Sequence, residues 1–277
     1  MADDPSDPVE VGGPAGRAGA QPRRHRRGDI VRAGIRGIGQ TLVTLGLIVL
    51  LFVVYEVWVT NLFAAAKQRE VKHELAREWS TGTDPLRGAD KLKLPAGKQV
   101  VLPTGQGFAN LYIPALGKDY AYTIVQGTDD GSLEKGPGHY AVTAIPGQIG
   151  NFAVAGHRVG KGEPFLNLDK LTPGDGVVVQ TAANWYVYRV LGDVKAGNLQ
   201  ARDVQGVPGR EIVSPSAVDV IDPVPDSPGV TPTRALMTMT TCHPKYSADK
   251  RMIVHAALSR AMKKSGTALP RELGGAL

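Results

Sequence analysis

The chain has 277 residues and a net charge of +6, and it is rich in glycine and proline, with 34 and 20 copies. This length suits one domain of ordinary size with appendages, and the many turn-forming residues favour short strands over a helical bundle. The basic residues fall in short runs without interleaved aromatic side chains, which argues against nucleic acid as a partner.

A basic tail followed by an apolar run opens the chain. Residues 1–36 are predicted to be a disordered cytoplasmic tail, because residues 1–29 are rich in Asp, Pro, Gly and Arg and almost lack large apolar side chains. No charged residue occurs between Arg36 and Glu56. We therefore predict a transmembrane helix over residues 37–59, since about 20 apolar residues span a bilayer.

The flanks of this run predict its orientation. A buried core helix rarely lacks charge for so long, and the apolar part of a cleaved signal peptide has only about 7–15 residues. A cluster of six arginines lies just before the run, namely Arg23, Arg24, Arg26, Arg27, Arg32 and Arg36. The positive-inside rule then places the N-terminus in the cytoplasm and the rest of the chain, anchored by a single pass through the cell membrane, outside the cell.

A helix is predicted directly after the membrane segment. Residues 60–80 carry Val71, Leu75 and Trp79 at four-residue intervals among charged side chains. This pattern predicts an extracytoplasmic stalk helix or a helix lying on the following domain. Residues 81–108, rich in Pro and Gly, are interpreted as a linker.

Residues 109–262 are predicted to form a mostly β domain. The predicted strands are 110–113, 120–126, 152–155, 176–181, 185–191, 234–242 and 251–258. Short strands at this spacing, with few helical stretches between them, predict an antiparallel barrel or sandwich. Residues 195–233 hold six prolines and are interpreted as a long connection with little regular structure, and residues 263–277 as a flexible tail.

The only cysteine, Cys242, lies at the end of a predicted strand that stops at Pro244. Polar residues 245–250 then turn the chain, and Arg251 opens the returning strand. Such a hairpin brings the thiol and a guanidinium to the same end, and a nearby cation favours the thiolate. A buried inert cysteine is the alternative. Outside the cell, however, cysteines usually pair, so an unpaired one indicates a reactive thiol.

A cysteine nucleophile needs a base or an ion-pair partner, usually histidine. The exported part offers His73, His139, His157, His243 and His255. His73 is on the stalk helix, His243 is predicted to face away from Cys242, and His255 is about 13 Å along its strand from Arg251. His157 ends a short strand just as Cys242 does, so we favour it over His139, which lies in a turn.

Taken together, these residues resemble the sortase family, the extracytoplasmic cysteine transpeptidases of Gram-positive bacteria. The motifs are Ala155-Gly156-His157, then Thr240-Thr241-Cys242, then Arg251 nine residues on. The longer strings at 136–140 and 238–244 are similar to class E sortases of actinobacteria. The resemblance covers about residues 111–258, with Met237 and Met239 where class E strands often carry Leu or Thr.

The resemblance implies a closed sortase β-barrel of about eight strands and a catalytic domain over residues 109–262. It implies that Cys242 attacks the Thr–Gly bond of an LAXTG- or LPXTG-like sorting signal, that Arg251 holds the substrate and stabilises the oxyanion, and that His157 protonates the departing amine. The implied partners are secreted proteins that carry the signal and a peptidoglycan precursor amine that resolves the thioester.

Substrate-binding residues are also implied, namely Thr240, Thr241 and Tyr112. A packed barrel aromatic is the alternative interpretation of Tyr112. No Cys/His spacing typical of a metal site occurs, and we expect no cofactor.

The enzymatic alternative is a membrane-tethered extracytoplasmic cysteine peptidase or peptidoglycan hydrolase of another fold. Papain-like peptidases place Cys before His, the reverse of the order of His157 and Cys242. L,D-transpeptidases, which act on peptidoglycan, place Arg almost directly after Cys, whereas here nine residues separate Cys242 and Arg251. A membrane-tethered binding module with an inert cysteine is the non-enzyme alternative, which thiol alkylation of the folded protein would distinguish.

Overall fold

The computed structural model describes residues 27–55, 60–87 and 102–275. Most of the predicted tail, part of the predicted linker and the end of the predicted membrane segment lie outside these ranges. Helix α1, Arg27–Val54, contains an apolar stretch, Ile30–Val54, long enough to cross a membrane. At 1.5 Å per residue these 25 residues extend about 37 Å, compared with about 30 Å of bilayer hydrocarbon.

Helix α2, Thr60–Ser80, packs on the β domain through an apolar face. Ala64, Val71 and Leu75 are buried. The approach is so close that a Cβ on Gly107 would lie 2.7 Å from a methyl group of Val71. The face predicted from the spacing of Val71 and Leu75 is therefore buried against the domain.

The rest of the described residues contain nine strands, one short helix and single 3₁₀ turns. The strands are β1 Gly107–Tyr112, β2 Ala121–Gln126, β3 Gly138–His139, β4 Gly150–Ala155, β5 Gly176–Gln180, β6 Asn184–Val190, β7 Arg210–Val213, β8 Ala235–His243 and β9 Lys250–Lys263. Helix α3, Asp130–Leu133, lies between β2 and β3. Single 3₁₀ turns occur at Pro114–Leu116, Leu168–Lys170, Asp219–Ile221 and Arg271–Leu273.

Eight of the strands close into a barrel in the order β6-β5-β1-β2-β3-β4-β8-β9, because β6 also pairs with β9. Strand β7 pairs with residues 251–254 of β9, before the stretch of β9 that pairs with β6. Most pairs are antiparallel, but β2–β3 and β4–β8 are parallel. The predicted mostly β, closed eight-stranded barrel, preceded by one helix long enough to span a membrane, is confirmed.

The core fills the barrel by alternation along each strand. Met237 and Met239 of β8 and Val254 of β9 are fully buried in the main apolar cluster. Thr238 and Thr240, on the opposite face of β8, are also buried and make polar contacts. The face of β8 that ends in Cys242 is therefore the outer face of the barrel.

Strands β3, β7 and β9 differ most from the sequence prediction. Strand β3 contains His139, which was predicted to lie in a turn, and its two residues are too few for an alternating pattern. Strand β7 lies within residues 195–233, which were predicted to have little regular structure. Its sequence Arg-Glu-Ile-Val contains two charged residues, which a strand that pairs on one side only can tolerate. Strand β9 continues to Lys263, beyond the predicted end at residue 258, because its second half pairs with β6 and closes the barrel.

Candidate active site

The parallel pair β4–β8 determines where the site lies. Ala155 and Thr240 are partners in this ladder, and His157 and Cys242 each follow two residues later. Parallel strands end at the same edge of a sheet, so both side chains lie at one end of the barrel. His157 and Cys242 line one pocket of about 260 Å³, together with Arg158, Val159 and three residues of the β8–β9 turn, Tyr246, Ser247 and Ala248.

Gly156 ties the two strand ends together. Its N–H donates to the carbonyl of Thr240 at 3.0 Å, and its carbonyl accepts the Thr241 hydroxyl at 2.8 Å. A Cβ on Gly156 would lie 2.5 Å from the ring of Phe165, so only glycine fits here. Thr241, predicted to bind substrate, therefore contacts the backbone that carries His157.

Thr240, the second threonine predicted to bind substrate, is 4% exposed, and its hydroxyl lies 2.9 Å from the hydroxyl of Tyr140. Sequence reasoning assigned no role to Tyr140. The signal that was available is its place in the class E-like string at 136–140, directly after the turn.

His157 is half-buried, and its Nε2 is buried without a hydrogen-bond partner among the described residues. Burial lowers the pKa of His157, and the nearby Lys161 lowers it further, while Asp130 and Glu134 oppose the shift. The imidazole therefore gives up its proton more easily than a free histidine.

Arg251 lies opposite Cys242 in the β8–β9 ladder, as the hairpin predicted. Its guanidinium, however, is turned onto its own hairpin, where Nη1 donates to the carbonyls of Ala248 at 2.9 Å and Lys250 at 3.0 Å. Arg251 is not among the residues that line the pocket of Cys242 and His157. The structure brings the backbones of Cys242 and Arg251 together and directs this guanidinium to the turn.

Arg158 is the guanidinium that lines the pocket, and sequence reasoning missed it. The side chain is 4% exposed and forms an ion pair with Asp169 at 3.0 Å. Its Nη1 donates to Nδ1 of His243 at 2.9 Å and lies 3.4 Å from the carbonyl oxygen of Cys242. His243 therefore carries its proton on Nε2. Desolvation lowers the pKa of His243 most, and the charge of Arg158 lowers it further.

The other histidines lie elsewhere. His139 is 2% exposed and contacts Gln126 through Nδ1 at 2.8 Å, and burial lowers the pKa of His139 to about 4. It does not line the pocket of Cys242. His73 is exposed on α2.

His255 belongs to a buried polar network on the outer face of the β8–β9 hairpin. The Thr238 hydroxyl donates to Asn151 Oδ1 at 2.8 Å, so Thr238 accepts from Nδ1 of His255 at 2.8 Å. His255 Nε2 meets Glu211 of β7 at 2.9 Å, and Glu211 shares a hydrogen bond with Asp226. This network ties β7 and the 219–226 segment to the strands that carry Cys242 and Arg251.

Tyr112, the third residue predicted to bind substrate, lies in a separate cluster. It packs against Trp185, with a ring separation of 6.0 Å, and against Val178 and Val187. Its hydroxyl donates to Gln180 at 2.8 Å. It does not line the pocket of Cys242 and His157.

Comparisons with known proteins agree on the family of this domain. The family model "Sortase domain" matches residues 111–259. Sortase SrtE1 of Streptomyces coelicolor is 36% identical over 241 residues, which are 84% of this chain, and the chain spans 59% of the length of that protein.

Two solved structures also match. The SrtF sortase from Corynebacterium diphtheriae is 37% identical with a TM-score of 0.57, and the match covers 67% of this chain and 100% of that one. The SrtA sortase from Actinomyces oris is 33% identical with a TM-score of 0.53, covering 65% of this chain and 94% of that one.

Proposed function

The chain belongs to the sortase family, and from this premise we propose that it is a membrane-anchored cysteine transpeptidase. It cuts an LAXTG- or LPXTG-like sorting signal between Thr and Gly and transfers the acyl group to an amine of a cell-wall precursor. The observation that carries this proposal is the shared pocket of Cys242 and His157 at the ends of β4 and β8.

The two side chains divide the chemistry between them. The thiolate of Cys242 attacks the Thr carbonyl carbon and gives a tetrahedral oxyanion. Collapse of this intermediate breaks the C–N bond, and His157 as imidazolium gives its proton to the leaving Gly amine. The remaining thioester is attacked by the acceptor amine, whose proton passes to His157, and the thiolate of Cys242 is released.

Arg251 is proposed as the cation that stabilises the oxyanion. Its two hydrogen bonds to the hairpin both use Nη1. Nη2 and Nε have no hydrogen-bond partner among the described residues, and we propose that they bind a substrate carbonyl. Thr240, which contacts Tyr140, is proposed to line the groove beside the thiol, and Thr241 to brace the backbone of the histidine through Gly156.

The test uses the full chain in detergent micelles with LAXTG and LPXTG peptides, with and without an amine. We expect a product that contains the amine, together with a thioester adduct on the wild-type enzyme seen by intact-mass spectrometry. The Cys242→Ala variant should form neither. Peptide cleavage that never incorporates the amine would favour a peptidase, and absence of both cleavage and adduct would overturn the proposal.

The proposed topology places the N-terminus inside the cell and the barrel outside, with α1 as the anchor. A reporter fused after Leu277 should then be active only on the outer side of the membrane. Replacing the arginines Arg32 and Arg36 by Glu should reduce correct insertion, because they provide positive charge at the N-terminal end of α1. Cytoplasmic activity of the wild-type fusion would exclude this orientation.

A further inference from the structure

The loop that follows His157 has an unusual backbone. Four consecutive residues have positive φ angles, namely Gly160 at 70°, Lys161 at 50°, Gly162 at 83° and Glu163 at 49°. Lysine and glutamate rarely adopt this left-handed region, and such residues persist only where their surroundings impose it. The contacts that hold this loop therefore also determine how His157 is presented.

Asn61, in the first turn of α2, provides two of these contacts. Its Oδ1 accepts the Gly162 N–H at 3.1 Å, and its Nδ2 donates to Glu163 Oε1 at 3.0 Å. The same Glu163 oxygen accepts the Gly160 N–H at 3.0 Å. One amide side chain on α2 thus closes the left-handed turn, and Ala64, one helical turn later, lies against Gly162.

The opposite side of the loop is held by the barrel. The Tyr122 hydroxyl donates to the carbonyl of Gly162 at 3.0 Å, and the Tyr120 hydroxyl to that of Pro164 at 2.6 Å. The chain then returns, and the Phe165 N–H donates to the carbonyl of His157 at 3.1 Å. A shift of the turn is therefore passed directly to the backbone of His157.

Helix α2 also takes part in the charges around the imidazole. Glu134 pairs with Lys67 of α2 and, at 3.3 Å, with Lys161 of the loop. Glu134 and Lys161 both act on the pKa of His157, in opposite directions. The helix therefore contacts the histidine loop by hydrogen bonds and by a shared ion cluster.

We propose that α2 is part of the active site and that Asn61 is a positioning residue for His157. The helix that follows the apolar α1 fixes the left-handed turn and, through it, the place of the imidazole beside Cys242. This inference rests on the proposed function of His157 as the acid and base of the reaction. It concerns a residue far from Cys242 in the sequence that does not line the pocket of the thiol.

The test uses the full chain in detergent micelles and the Asn61→Ala variant. We expect kcat for the sorting peptide to fall about tenfold to a hundredfold, as for a misplaced catalytic group, with KM little changed. The pKa of His157, measured by mass-spectrometric exchange of its ring C2 hydrogen, should rise towards the ordinary histidine value as the ring gains solvent. Amide exchange should increase at residues 156–165, while the melting temperature stays close to that of wild type.

Matched variants separate the hydrogen bonds from other effects. Glu163→Gln keeps an oxygen that accepts from Gly160 and Asn61, and it should behave like wild type. Glu163→Ala should lose as much kcat as Asn61→Ala, and the double variant should lose no more than either. His73→Ala, exposed on the same helix, should change nothing.

Two outcomes would overturn the inference. One is an Asn61→Ala enzyme with wild-type kcat, wild-type exchange at 156–165 and an unchanged pKa of His157. The other is a general fall in melting temperature with exchange raised throughout the barrel, which would make Asn61 a purely structural residue. If wild type itself forms no acyl-enzyme, the proposed function fails, and the exchange and pKa measurements alone decide whether α2 positions His157.

Discussion

Nη1 of Arg158 lies 2.9 Å from Nδ1 of His243, so a buried guanidinium holds the residue that directly follows Cys242. The same nitrogen approaches the carbonyl of Cys242, and Nη2 pairs with Asp169. Arg158 thereby connects three segments: the end of β4, the end of β8 and the 3₁₀ turn at Leu168–Lys170. Arg158 also lines the pocket of Cys242, so we predict that it holds the strand end that carries the thiol.

Replacing Arg158 by Gln should lower kcat/KM about tenfold to a hundredfold, because the strand end that carries Cys242 loses its brace. The variant should also be less stable, since Asp169 loses its partner. The double variant Arg158→Gln/Asp169→Asn removes both charges and should recover the melting temperature while kcat/KM stays low. Recovery of kcat/KM together with stability would show that Arg158 serves the fold alone.

Alanine substitutions of the two candidate histidines should distinguish a catalytic role from a packing role. His157→Ala should reduce acyl transfer by orders of magnitude with little change in melting temperature, because among the described residues its Nε2 has no hydrogen-bond partner to lose. His139→Ala should retain most of the activity but unfold at lower temperature, since it leaves the buried Gln126 without its partner at a cost of about 1–3 kcal/mol. Rates and melting curves of both variants provide the measurement. Equal loss of activity in two equally folded variants would remove the support for His157.

The charge of Lys161 should appear in the pH profile. Lys161 lowers the pKa of His157, so Lys161→Gln should raise this pKa. The alkaline limb of kcat/KM, where the imidazolium loses its proton, should then move to higher pH. Lys161→Arg keeps both the charge and the backbone strain at this position, and its limb should stay in place. A limb that moves to lower pH in the Gln variant would contradict this electrostatic account.

The carboxyl pair of Glu211 and Asp226 should affect stability in a pH-dependent way. Burial and the neighbouring Glu211 raise the pKa of Asp226 to about 6, above the ordinary Asp value of 3.8. A carboxyl whose folded pKa is raised stabilises the fold at low pH, and this contribution is lost as pH rises towards 6. Asp226→Asn should remove this part of the pH dependence.

Thermal unfolding of the full chain between pH 4 and pH 8 tests this sign. The Glu211 contribution runs in the opposite direction, because the pKa of Glu211 is lowered, so the relevant quantity is the difference between variant and wild type. The melting temperature of Asp226→Asn, measured relative to that of wild type, should increase as pH rises from about 4 to about 6. The Asp222→Asn control, which keeps the backbone carbonyl that binds Asn151, should run parallel to wild type.

The positions of the strands could be predicted from the sequence better than the contacts of the side chains. Alternating patterns located most of the barrel strands, and the hairpin correctly set Cys242 opposite Arg251. Strand β7 was missed because two of its four residues are charged, and an edge position makes this acceptable. The periodicity of α2 identified an apolar face but could not say which surface covers it.

The direction of a guanidinium cannot be deduced from strand register. The backbone of Arg251 lies opposite Cys242 and that of Arg158 directly follows His157, so both arginines start near the site. Only Arg158 lines the pocket. Its burial depends on Asp169 in a turn that carries no motif. The contacts of Asn61 were even harder to predict from the sequence, because its partners lie 101 and 102 residues away.

The parallel pairing of β4 with β8 has a consequence for the timing of folding. The hydrogen bond from Thr241 to Gly156 joins residues 85 positions apart, and β5, β6 and β7 lie between them in the sequence. Contacts of such long range form late, since the closure entropy of the intervening chain must first be offset. A chain emerging on the far side of a membrane would therefore hold its thiol apart from its imidazole until almost the whole barrel has been delivered. Reactivity would be acquired only as the last hairpin joins the sheet.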